Sequence, residues 1–307
     1  MKKTANNKII KILIIFTIVI ITIFAMIPVH KNYKTIPWMN DLSDNTIISE
    51  MLIPGTHDSG ATHSIFDVSG KCQDLNIKSQ LNIGVRFFDI RLQLVNNQLV
   101  VVHSFVDQNL KFSKVLKDID NFLNDYNSEF IIISIKEDNT PKNSNIDFTE
   151  AVLSQISKYD KISLANNLPT TLKEARGNIY ILNRFTTEEA GISAKQGWQD
   201  STTFEIGSLY IQDNYCVDSF IVKKEDINKT FEYSKTNKDK IILNFTSCYL
   251  NNAFPPTYAG EVAKDVNKYL VEYLDDNDNL SGIIIMDFVT KELVEKVYME
   301  NSYEKNN

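Results

Sequence analysis

Cysteine, proline, glycine and net positive charge are all scarce in this chain. Its 307 residues include only 3 Cys, and Cys72, Cys216 and Cys248 lie far apart. That is too few for a disulfide framework, and no Cys-x-x-Cys pair exists to support a zinc or thioredoxin-like reading. They read as small buried apolar residues, with a single disulfide among them left open. With 7 Pro and 10 Gly there is no Pro/Gly-rich linker from Trp38 onward, no low-complexity stretch and no repeat, so nothing divides that region into domains. Lys plus Arg number 32 against 39 Asp plus Glu, a net charge of -7. Binding to a phosphate backbone needs a basic face, so a nucleic-acid partner is excluded, as is strong electrostatic adhesion to anionic membranes. What is present, 43% hydrophobic and 23% charged residues, is the profile of a folded protein. About 270 residues remain beyond the N-terminal segment, enough for one large core.

The N-terminal segment stands apart. Lys2, Lys3, Lys8 and Lys11 precede an apolar run from Ile12 to Val29, interrupted only by Thr17, Thr22 and Pro28. A basic start before such a run marks export, and the preceding lysines favour the N-terminus inside. As a helix the run would span roughly 27 Å at about 1.5 Å per residue, adequate for a bilayer. A cleaved signal and an uncleaved membrane anchor both stay open, and either makes the domain extracytoplasmic, secreted or held by one transmembrane helix. The expected organisation is a signal or anchor over 1–29, a linker over 30–37 and one folded domain over 38–307.

Seven β-branched runs follow: Phe87–Val95, Leu99–His103, Phe130–Lys136, Asn178–Arg184, Leu209–Asp213, Lys240–Thr246 and Gly282–Asp287. Most are continuously apolar rather than alternating, as in parallel strands buried on both faces. Helical spacing appears over Ser113–Tyr126, Phe148–Ile156 and Val262–Leu274. Alternation of the two predicts an α/β barrel or open sheet. The connection Asn96-Asn97-Gln98 is too short for a crossover and predicts a hairpin, so a regular eight-fold barrel is not expected.

These runs carry charge where they end. Arg91 lies within one, and His103, Lys136, Arg184, Asp213 and Asp287 each close another. In α/β barrels the C-terminal ends of strands build the active site, so this set predicts a polar ligand there. His57 sits in Ile53-Pro54-Gly55-Thr56-His57-Asp58-Ser59-Gly60, a segment read as a turn rich in glycine and small polar groups. His57 and His103 can serve as base and acid, with Asp58, Asp89 and Asp287 as carboxylates to fix their tautomers. Arg91, two residues beyond Asp89 on the same strand face, can hold a phosphate.

The chain resembles bacterial phosphatidylinositol-specific phospholipases C of the X-domain family. The motifs that carry the resemblance are Ile53–Gly60; Gly84-Val85-Arg86-Phe87-Phe88-Asp89-Ile90-Arg91 followed by His103; Ile132–Glu137; and Ala175–Ile179 leading to Arg184. Ile211–Tyr215, Asn244–Ser247 and Ile285–Phe288 continue it, so the match covers almost everything from Trp38 onward. The resemblance implies an irregular TIM-type barrel and a lyase reaction giving 1,2-cyclic inositol phosphate and diacylglycerol from membrane phosphatidylinositol, with action on inositol-linked (GPI) anchors left open. It implies His57 as general base oriented by Asp287, and His103 as general acid supported by Asp58. Arg91 would stabilise phosphate charge and Asp89 would assist the hydrogen bonding. Lys136, Arg184 and Asp213 match positions that bind inositol hydroxyls, and Tyr215 one that stacks on the sugar. Eukaryotic relatives place acidic calcium ligands where this chain has Arg91, so neither a metal nor any other cofactor is expected. A monomer is expected.

Two departures stand out. Ser104-Phe105 follows His103 where the family commonly has glycine, and the acidic contact near Lys136 is displaced to Glu137 or Asp138. Tyr210, Phe254 and Tyr258 are candidates for an exposed aromatic rim, with core packing the commoner fate. The competing readings are a metal-dependent glycerophosphodiesterase-like barrel, which Arg91 opposes, and a non-catalytic inositol-headgroup module, which the retention of both histidines opposes.

Overall fold

The structure is a computed structural model, and it describes residues 33–64, 70–251 and 259–301. The strands, in chain order, are β1 (Leu52–Thr56), β2 (Phe87–Val95), β3 (Gln98–His103), β4 (Val106–Lys111), β5 (Ile131–Glu137), β6 (Ile162–Ser163) and β7 (Ile179–Arg184). They continue with β8 (Ile192–Ser193), β9 (Thr203–Ile206), β10 (Leu209–Gln212), β11 (Cys216–Val217), β12 (Ile241–Phe245), β13 (Tyr249–Leu250) and β14 (Gly282–Met286). One sheet runs in the order β6-β7-β5-β2-β1-β14-β12-β10-β9, with β3 and β4 attached beside β2, and β8 beside β7. Its central pairs are parallel, from β5–β7 through β2–β5, β1–β2 and β1–β14 to β12–β14 and β10–β12. Among the described residues β6 and β9 do not pair with each other, so the curled sheet stays an open barrel. Residues Lys34–Asn307 form one compact unit.

The expected runs become strands with ends shifted by a residue at most. All five residues of β14 and all six of β7 are buried, as continuous hydrophobicity requires of parallel strands covered on both faces. The helix Phe112–Asp125 covers one face with Val115, Leu116, Ile119, Phe122 and Leu123, each burial contributing about 1.5–3 kcal/mol. The helix Phe148–Ile156 is capped by Asp147, which accepts from the Glu150 amide at 3.2 Å. The expected helix over Val262–Leu274 lies inside Ala259–Asp276. The hairpin turns at Asn96 and Asn97, both with positive φ (49° and 60°), as a two-residue turn between right-twisted strands demands.

The segment Leu52–Thr56 corrects the first half of the turn reading, for it is a fully buried strand pairing with β14 on one side and β2 on the other, while 57–60 do form a turn. Pro54 is tolerated there because pairing with β2 starts only at Gly55 against Phe87, so no ladder partner requires its missing N–H. Gly55 is needed for closeness, since a Cβ there would lie 2.9 Å from the Phe87 Cβ.

The helix Phe220–Thr236 was not expected either. Its inner face buries Lys223, Ile227, Thr230, Phe231 and Ser234, so three polar residues hide the helical stripe. Tyr210 is half-buried and stacks on Tyr233 at 3.8 Å, which removes it from any exposed rim. Phe254 and Tyr258 lie outside the described residues, as do His30 and the apolar run 12–29. Among the described residues no helix is long and apolar enough to cross a membrane. Cys72, Cys216 and Cys248 are free thiols, the first and last buried.

Candidate active site

Strand register gathers the charged residues at one end of the barrel. Arg91 of β2 lies beside Lys136 of β5, and Lys136 beside Arg184 of β7, giving a row of three cations on adjacent strands. Asp89, two residues before Arg91, shares its face one pleat deeper. His57 and Asp58 directly follow β1, and Asp287 directly follows β14. Because β1 and β14 pair in register, Thr56 against Met286, the next residues meet: His57 Nδ1 lies 2.8 Å from Asp287 Oδ1. Gln73 locks this junction by donating to the carbonyls of both His57 (2.9 Å) and Met286 (2.8 Å).

The other ring nitrogen of His57 meets Arg91 Nη2 at 2.7 Å. A guanidinium can only donate, so Nε2 carries the lone pair and Nδ1 carries the proton given to Asp287. Burial of the ring lowers its proton affinity and Arg91 adds to that, but the charge and hydrogen bond of Asp287, with the charge of Asp89, together outweigh both, so the pKa of His57 is raised. Arg91 Nε stands 3.3 Å from Asp89 Oδ2 and 3.6 Å from Asp58 Oδ2. Burial works against charge on Asp89, yet Arg91 and Arg184 overcome it and hold the carboxyl well below the usual range. Asp89 also accepts from Ser134 Oγ and Arg184 Nη1, each at 3.3 Å.

Asp58 behaves differently. It is fully buried with a left-handed φ of 41°, and burial raises its pKa in spite of Arg91 and His103. His103, at the end of β3, places Nε2 3.8 Å from Asp58 Oδ2. Two acid–base units therefore flank Arg91, His57 with Asp287 and His103 with Asp58.

Around them opens a cavity of about 910 Å³ whose walls include Lys136, Arg184, Asp213 and Tyr215 with both histidines, Arg91 and Asp287. Lys136 Nζ is 3.0 Å from Asp138 Oδ1, and the other Asp138 oxygen accepts from the Ser104 amide at 3.0 Å. Ser104 itself adopts a positive φ of 53°, so a serine takes a backbone position that favours glycine. Of the two acidic residues considered beside Lys136, Asp138 is the one paired with it. Tyr215 donates from its hydroxyl to Asp200, which raises the phenol pKa.

Trp198 escaped the sequence reading. Its ring lies 3.5 Å under the Arg184 guanidinium and its indole N–H donates to Asp213 at 3.1 Å, so it braces two of the expected contacts at once. Gln73 and Ser134 were missed too, because no pattern marks a lone polar residue whose partners come from remote strands. All ten expected site residues nevertheless belong to this one cluster, Asp58 and Asp89 as its buried floor.

Comparison with known proteins agrees with this geometry. The family model described as "Phosphatidylinositol-specific phospholipase C, X domain" matches residues 45–185. A curated protein of Staphylococcus aureus named 1-phosphatidylinositol phosphodiesterase is 31% identical over 275 residues, covering 82% of this chain and 87% of that one. One of the same name from Listeria monocytogenes is 28% identical over 290 residues, covering 90% and 88%. A solved variant of the phosphatidylinositol-specific phospholipase C of S. aureus superposes with a TM-score of 0.78 at 28% identity, covering 87% of this chain and 97% of the other. The L. monocytogenes enzyme gives 0.67 at 25% identity, covering 87% and 98%. With its site at the carboxyl ends of a matching open barrel, this chain belongs to the phosphatidylinositol-specific phospholipase C family.

Proposed function

We propose that the chain cleaves phosphatidylinositol as a metal-independent phospholipase C, releasing 1,2-cyclic inositol phosphate and diacylglycerol. The observation that carries this reading is the His57 ring held between Asp287 and Arg91, at 2.8 and 2.7 Å. A phosphate oxygen entering the cavity takes over the Arg91 N–H, which frees Nε2 to accept a proton from the inositol 2-hydroxyl. That oxygen attacks phosphorus as the bond to the glycerol oxygen breaks, and protonated His103 supplies the proton to the departing diacylglycerol. Asp58 supports the charged form of His103, and Asp89 holds Arg91 in place. The Arg91 guanidinium neutralises the charge developing on the phosphoryl oxygens, the task a cation performs in other phosphoryl transfers. Lys136, Arg184 and Asp213 bind inositol hydroxyls, and Tyr215 stacks on the ring.

The irregular TIM-type barrel over 38–307 follows an export segment over 1–29, cleaved or retained as an anchor, and a linker over 30–37. The domain works outside the cytoplasm as a monomer on membrane phosphatidylinositol, with inositol-linked anchors as a second substrate. Its test is incubation of the protein with phosphatidylinositol in the presence of a chelator. Cyclic inositol phosphate is expected; intact, folded protein that yields none refutes the metal-free reading.

A further inference from the structure

We propose that Asp58, Cys72 and His103 form a binding site for a borderline-soft divalent cation, zinc above all, whose occupancy shuts the active site. The inhibitory consequence rests on the function proposed above; the binding does not. One ligand atom from each of the three residues lies within 4.8 Å of the other two. Asp58 is fully buried, yet among the described residues neither of its carboxylate oxygens has a hydrogen-bond partner, and the buried Nδ1 of His103 has none either. A buried polar group without a partner is costly, so two residues with such atoms beside one thiol mark a place that gains by accepting a ligand.

The donor set selects the ligand. Sulfur, imidazole nitrogen and a carboxylate oxygen suit zinc, whereas calcium and magnesium want several oxygens. Three protein ligands with the fourth position open to a cavity is also the usual arrangement of an accessible zinc site. Cys72 is fixed for the role by its backbone: its amide donates to the Ala61 carbonyl at 2.9 Å, and its own carbonyl accepts from Phe288 at 2.8 Å. A second triad, His57, Cys72 and Asp287, shares the same thiol. It is the poorer site, because its imidazole and carboxylate already bond each other and Arg91 occupies the remaining nitrogen. Arg91, 3.6 Å from Asp58, repels a dication, but its charge is already opposed by Asp89 at 3.3 Å. On binding, the S–H bond breaks, an S–Zn bond forms and the proton goes to solvent. The metal then holds His103 by a ring nitrogen and takes Asp58 away from it, so the ring cannot serve as the charged acid and cleavage stops.

The test is a zinc titration of the full-length protein by calorimetry, alongside Cys72→Ser and Cys248→Ser. One zinc per chain is expected for the wild type and for Cys248→Ser, with affinity at least about tenfold weaker for Cys72→Ser. X-ray absorption of the wild-type complex should show one sulfur at about 2.3 Å from zinc, a readout that needs no variant to fold. Zinc should abolish phosphatidylinositol cleavage by the wild type, a chelator should restore it, and Cys72→Ser should keep cleaving. Equal affinity with and without Cys72, or no sulfur neighbour, overturns the site. A protein that binds zinc through Cys72 but never cleaves phosphatidylinositol keeps the site and refutes the function instead.

Discussion

Lys223 offers the most quantitative test of how the fold supports its site. It is fully buried in the helix Phe220–Thr236, and its ammonium donates to Gln212 Oε1 at 3.1 Å and the Asn214 carbonyl at 2.7 Å. Among the described residues no carboxylate forms an ion pair with it. Burial therefore pulls its pKa from 10.5 down to about 8, with nearby Cys248, Asp213, Asp226 and Asp287 only partly opposing this. The displacement is worth roughly 3 kcal/mol at about 1.4 kcal/mol per pH unit. The sign follows from proton counting. Between pH 8 and about 10.5 the unfolded chain binds a proton that the folded chain has lost, so this residue's contribution to stability rises with pH through that window and is flat below it. Lys223→Met has no such titration. Near pH 7 the variant is freed of the buried charge but leaves the Asn214 carbonyl without this donor, at about 1–3 kcal/mol, so the two effects largely cancel. Denaturant unfolding of both proteins, each carrying Cys248→Ser to remove the thiol that senses Lys223, from pH 7 to 10.5 reads the difference, in which the tyrosines common to both drop out. Wild-type stability should gain roughly 3 kcal/mol on the variant across the window; a difference flat in pH refutes the argument. Because Gln212 and Asn214 flank Asp213, the variant should also raise KM for phosphatidylinositol more than it lowers kcat.

Replacing the proposed general base, His57→Ala, should lower cleavage by at least about a hundredfold in protein that still folds, and retained full activity removes the assigned base. Asp287→Asn removes the carboxylate that lifts the proton affinity of His57, while burial and Arg91 still lower it. The acidic limb of the kcat/KM profile should therefore move to lower pH as the rate falls, and an unmoved limb refutes the pairing. His103→Ala should cripple cleavage of phosphatidylinositol but spare most activity on an aryl inositol phosphodiester, whose leaving group needs no proton; equal losses on both would deny His103 the role of acid. Glu129→Gln should destabilise by about 3–5 kcal/mol in denaturant unfolding, because Arg86 and Glu129 are both 0% exposed and pair at 2.7 Å. Stability changed by less than 1 kcal/mol would show the pair to be dispensable.

What could be read before the structure was known follows from periodicity. Runs such as Ile131–Ile135 and Ile283–Met286 announce buried parallel strands because every residue faces a covered surface. The residues that close those runs then share one end of the sheet by geometry, which is why Arg91, Lys136, Arg184, Asp213 and Asp287 could be assigned to one site. His57 needed the resemblance as well, since Pro54 and Gly55 disguise β1, and their reasons (no β2 partner yet at Pro54, the Phe87 Cβ at Gly55) exist only in three dimensions.

The unreadable part has a common physical cause. Lys223 spoils the helical stripe of its own helix, and its burial makes sense only beside Gln212 and Asn214 of another element. Trp198 reaches Arg184 and Asp213 from a stretch with no period at all. Cys72, one of three scattered cysteines, looks like core filling in sequence, yet it stands between two histidine–aspartate units that arrive from β1, β3 and β14. A strand pattern reports which face of an element is buried, but not what that face is buried against. Groups that act on the site from beneath it, by bracing, tuning or accepting a ligand, are therefore the ones a sequence conceals, Cys72 and Lys223 among them.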